Sequence, residues 1–139
     1  MSFALWERIH GHLGLLAVIL LVHPMILLFR GHTSRARRVA APALVCLALS
    51  FGLGLWIYPH FREEVKPFMA VRAPAALYWF GVKEHLAWLC VCLAVGGAAL
   101  LRAGVPETLV LAKVFLSLAA LLGLWVAVLG VWVAAWPLL

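Results

Sequence analysis

Six histidines punctuate a chain of 139 residues that is otherwise strongly apolar, and four of them gather at one end of the apolar segments. His10 and His12 open the first segment, His60 follows the second, and His85 opens the third. If successive segments run antiparallel, all four lie on one side of a bilayer. Imidazole is disfavoured in hydrocarbon and is a ready ligand for metals, so a one-sided cluster points to a shared task. From His12 to Arg30 is 18 residues, and from His85 to Arg102 is 17. At the rise of a helix, both rings then stand about 26 Å from the basic ends of their segments. In a simple bundle the first and third helices are diagonal, so two rings at one level could supply both axial ligands of a haem b.

The neighbouring residues suit that reading. Gly11 and Gly14 flank His12, where a flat macrocycle between helices needs small residues. Propionates would point outward to Arg8, Arg62, Arg72 or Lys83, whose cations can pair with carboxylates. His60 lies 22 residues after Arg38, about 7 Å farther out than His12, which suits a lid better than a ligand. The rival chemistry is a zinc or copper site built from His10, His12, His60 with Glu63 and Glu64, and Glu84 with His85. Two histidines spaced i, i+2 on a helix diverge by about 200°, so His10 and His12 converge only if His10 precedes the helix. In both cases His10 and His60 stand as alternate ligands.

The elements that must carry these side chains follow from composition. The chain is 67% hydrophobic and 12% charged, too apolar for the surface of a soluble domain of this size. A span needs roughly 20 apolar residues, and four stretches qualify, at about 9–29, 39–58, 76–101 and 108–136. The expected fold is all-α and integral to the membrane: one domain, residues 1–139, an up-and-down bundle of four transmembrane helices. Pro42 falls in the expected first turn of the second helix, and Trp56-Ile57-Tyr58-Pro59 closes it. His60 to Ala75 reads as the one long connection, with Phe68-Met69-Ala70-Val71 lying along the interface.

The net charge of +6 is a topology signal and not a nucleic-acid footprint. Arg30, Arg35, Arg37 and Arg38 crowd the first connection with no acid among them, which by the positive-inside rule places that connection in the cytoplasm. Both termini then face the periplasm of a bacterial inner membrane, and the arginines attract anionic lipid headgroups. Cys46, Cys90 and Cys92 lie within apolar segments without a CxxC pair, so they read as packing residues. Deeper in the chain, His23 lies 11 residues after His12, on nearly the same helical face and roughly 16 Å lower. His23-Pro24 suits a kink. Lys113 is an intramembrane cation close enough to the basic end to snorkel.

Through His12, Trp56-Ile57-Tyr58-Pro59-His60-Phe61-Arg62 and Lys83-Glu84-His85-Leu86, the chain resembles small four-helix bacterial membrane proteins without an assigned activity. In plan it is similar to four-helix transmembrane b-type cytochromes. It is also similar to membrane protoporphyrinogen oxidases of the HemJ type in size, helix number, early histidine and late lysine; it lacks their extended motif after the first helix. The resemblance implies haem and electron transfer, with roles for His12 and Lys113. The expected function is a small b-type cytochrome passing electrons between a quinone and a periplasmic redox partner, as an oligomer or within a larger assembly. The alternative is a non-catalytic accessory or scaffold subunit of a membrane complex.

Overall fold

A computed structural model describes residues 3–136. The chain forms α1 (Phe3–Phe29), α2 (Thr33–His60), a π-helical turn (Phe61–Val65), α3 (Lys66–Arg72), α4 (Pro74–Ala103) and α5 (Pro106–Ala135). Four helical rods, with α2 running on through the π turn into α3, are long and apolar enough to cross a bilayer. The chain is a multi-pass membrane protein built as a four-helix bundle. α1 packs against α2 and α5, and α4 packs against α5 and α2, so α1 and α4 face each other across the diagonal. The first spans begin about six residues earlier than hydropathy suggests, because polar residues such as Glu7, Arg35 and Arg38 extend the helices without ending them.

The long connection expected after Pro59 is helical almost throughout. Pro59 lies inside α2 and does not stop it. The turn that follows widens, with the Lys66 N–H bonding the Phe61 carbonyl, and this advances the chain by one residue and rotates α3 by about 100°. Pro42 likewise lies in the interior of α2, not in its first turn, since α2 starts nine residues before it. The break that does occur is at Ala73, which leaves the helical region ahead of Pro74, as a residue before proline tends to.

Three apolar layers fill the interior. At the basic end are Leu28, Ala36, Ala98, Leu101 and Leu116; in the middle are Leu21, Ala43, Cys90, Ala94 and Ala119. Phe61, Met69, Ala76 and Val133 close the end that carries the termini. Ala17, Ala36, Ala43, Ala76, Ala94, Ala112 and Ala119 are all 0% exposed. Small residues where backbones approach closely are how membrane helices pack when lipid and core are equally apolar. Large apolar side chains such as Ile19, Leu49, Val95 and Leu121 point outward. Cys90 is buried and donates its thiol hydrogen to the Ala119 carbonyl at 3.2 Å, while Cys92 is exposed, in keeping with their angular separation.

Both turns at the basic end are closed by glycine. Gly31 takes φ +79°, and the bonds from Gly31 N to Leu28 O and from His32 N to Leu27 O form a Schellman cap. Gly104 takes φ +74° at the end of α4. There the Arg37 Nε donates to the Leu101 carbonyl at 2.8 Å, satisfying an orphan acceptor and setting a cation at the negative end of the helix. A β-carbon at Gly104 would run into the Arg37 guanidinium, whereas one at Gly31 would meet nothing within 4 Å. Gly31→Ala should therefore cost only the left-handed backbone penalty, about 1–2 kcal/mol. Gly104→Ala should cost more, measured by thermal unfolding in detergent. Equal losses in the two variants would mean that the Arg37 clasp contributes nothing.

Candidate functional site

α1 presents His10 and His12 to opposite sides. His10 faces inward onto α2, its Nδ1 2.9 Å from the Ser50 carbonyl, and the Ser50 hydroxyl donates back to the His10 carbonyl at 3.4 Å. A carbonyl can only accept, so Nδ1 carries the proton and Nε2 keeps a lone pair. The ring lies directly over Gly54, where a β-carbon would come within 2.9 Å of Cε1. Ser50 is the one buried polar residue among those described. Lys83 on α4 enters the same end of the interior: its aliphatic stem runs beside Gly130 of α5 and its Nζ sits 4.6 Å from the centre of the Phe80 ring.

His12 is exposed, and its Nδ1 donates to the Arg8 carbonyl at 2.7 Å. It lines a shallow groove of about 410 Å³ along the outer face of α1, with Arg8, Ile9 and Leu16. His85 is also exposed, and its Nδ1 donates to the Gly81 carbonyl at 2.8 Å. Both rings share one arrangement, with Nδ1 held by the carbonyl four residues back and Nε2 free. The structure does not bring them together. α1 and α4 are diagonal as expected, but each imidazole is on the outside of the bundle. On α4 the buried line runs through Cys90, Ala94, Gly97 and Leu101, and His85, five residues before Cys90, sits about 140° away from it. Along the helical line expected from His85 through Leu89, Cys92, Gly96 and Ala99, all are exposed except Gly96, where a β-carbon would press on the Phe115 ring of α5.

The glycines divide in the same way. Gly11 has open space where a β-carbon would be, while Gly14 lies on the α1–α2 seam, where a β-carbon would stand 3.3 Å from the Ser50 hydroxyl. Between the diagonal helices Gly123 of α5 is tight against Val18 of α1 and Cys90 of α4, while Phe51 meets the half-exposed Trp88 edge-on at 4.5 Å on the α2–α4 side. The His10–His12 pair does not converge, because His10 lies well inside α1. Among the described residues no three His, Cys, Asp or Glu side chains converge as a metal site would require.

The remaining candidates sit apart. His60 is half-buried, with its Nδ1 3.4 Å from Glu64 and its ring 3.6 Å from Phe3. Arg62, Glu63 and Glu64 of the π turn are exposed. His23 and His32 are exposed, and Pro24 is buried within α1. Lys113 reaches the basic end, its Nζ 5.8 Å from the Phe29 ring.

Sequence reasoning passed over the inward cluster of His10, Ser50 and Lys83. One signal was present: Lys83 follows the aromatic run Leu77–Phe80 by nearly a turn, and so lies deeper than the belt those rings mark. Beside it, the π turn and α3 enclose with α4 a cleft of about 430 Å³ lined by Tyr58, Lys66, Tyr78, Phe80 and Glu84. No family model, curated protein or solved structure matches the chain.

Proposed function

We propose that this protein is a structural subunit of a bacterial inner-membrane assembly, with both termini on the periplasmic side. The faces of α1 and α4 that carry His12 and His85 are covered by neighbouring transmembrane helices. The observation that supports this is the outward placement of His12, His23 and His85 on helices that cross the bilayer. His23 lies deepest of the three, and lipid tails offer its ring no hydrogen bond; an unsatisfied polar group in an apolar medium costs about 1–3 kcal/mol. A hydroxyl or amide on an adjacent helix offsets that cost. The orientation rests on Arg30, Arg35, Arg37 and Arg38 at the first turn.

A second reading rests on the same two rings. An imidazole with Nδ1–H bonded to a carbonyl and Nε2 free is oriented as a metal ligand is. A haem b would then lie at a boundary between subunits, one ligand from each, and would supply one-electron transfer between a quinone and a periplasmic partner.

Both readings are checked on protein purified in mild detergent. The particle should be larger than one chain. His12→Leu/His85→Leu should weaken association at least about tenfold while the separated chain stays helical, since leucine is at ease in lipid. A wild-type monomer with an unchanged double variant would overturn the assembly role. Sharp reduced-state α and β bands, lost in His85→Ala, would select the haem reading over the purely structural one.

A further inference from the structure

The cleft between α3 and the first turns of α4 has walls of one character and charges of another. Its floor is the Phe61–Phe80 pair, stacked at 4.0 Å with 17° between the planes, and Lys83 braces Phe80. Tyr58 and Tyr78 also line the cleft. Two charged groups line it, Lys66 from the start of α3 and Glu84 from α4. These are opposite in sign, yet they form no ion pair. Among the described residues the one side-chain ion pair within 4 Å is His60 with Glu64. Lys66 follows the π turn directly, its N–H bonded to the Phe61 carbonyl.

We infer that this cleft binds the headgroup of a zwitterionic phospholipid, its phosphate on Lys66 and its ammonium on Glu84. An anionic headgroup would gain Lys66 but meet the Glu84 carboxylate, and a lone cation would meet the Lys66 ammonium. A phosphate and an ammonium joined by a short carbon chain satisfy both, with charge-assisted hydrogen bonds at each end. The tyrosine faces favour an ammonium further, and the Phe61–Phe80 floor suits the glycerol and upper acyl carbons. The location agrees: the cleft lies at the end of the spans, among Tyr58, Tyr78 and Trp79, where aromatic belts mark the headgroup level. At that level phospholipid is the ligand in greatest excess, so mass action favours occupancy. This inference is independent of what covers His12 and His85.

The test uses the full chain reconstituted in bilayers that hold phosphatidylethanolamine and phosphatidylglycerol in equal amounts. Retained lipid is counted by native mass spectrometry after extraction. The wild type should keep phosphatidylethanolamine over phosphatidylglycerol by about tenfold, the effect of one charge-assisted contact. Glu84→Gln should reverse or abolish that preference. Lys66→Gln should lower retention of both lipids about tenfold, and because Lys66 is exposed the variant should fold normally, which circular dichroism checks. Equal retention of the two lipids by the wild type, or an unchanged preference in Glu84→Gln, would overturn the assignment. So would displacement of the lipid by soluble phosphoethanolamine, which would make the site one for a small zwitterion.

Discussion

Gly97→Leu should prevent the bundle from closing. Gly97 lies on the α4–α5 seam, the most extensive helix pair in the molecule. A β-carbon there would stand 2.9 Å from Leu116 Cγ and 3.1 Å from the Leu116 backbone nitrogen. Leu116 is itself 1% exposed, so it has nowhere to retreat, and the backbone contact can be relieved only by separating the helices. Gly97→Ala should cost about 1–3 kcal/mol, as overpacking does. Gly97→Leu should exceed about 4 kcal/mol, the range in which a named packing failure dominates. The measurement is unfolding in detergent followed by tryptophan fluorescence. Gly52→Leu is the control: Gly52 is exposed with nothing within 4 Å, and its variant should match the wild type. A Gly97→Leu protein as stable as that control would show that the α4–α5 seam is looser than described.

Gly54→Val tests the inward histidine. The His10 ring sits on Gly54 and is tethered by its Nδ1–H to the Ser50 carbonyl, so it cannot move aside without losing that bond. The variant should lose about 1–3 kcal/mol through overpacking and the lost hydrogen bond together. His10→Ala removes the obstacle, and the double variant His10→Ala/Gly54→Val should be more stable than the sum of the single losses predicts. Contacting residues couple in this way, and the double-mutant cycle isolates the coupling. Strict additivity would mean that the ring does not occupy that space.

Much of the fold was legible because a bilayer reduces the choices. Four apolar stretches of spanning length can only be helices. The divergence of His10 from His12 followed from helical geometry alone. So did the diagonal relation of the first and third spans, and the reach of Lys113 to the basic end. Pro42 and Pro59 misled because proline ends a helix in isolation, whereas here a widened turn and packing by Phe61 and Met69 carry the rod on to Arg72.

Which face of each helix looks inward was decided by the tertiary structure. In water an apolar stripe marks the core, because the other side must be polar. In a bilayer both sides are apolar: alanines sit where the helices approach closely, Leu21, Leu28, Leu101 and Leu116 fill the space between them, and leucine, isoleucine and valine also cover the outside. Hydropathy is blind to that distinction. It could not tell that His10 turns in with Ser50 and Lys83 while His12 and His85 turn out, although the residue types and their depths were plain in the sequence. Depth is a matter of counting residues along one helix, but facing depends on which neighbours close against it.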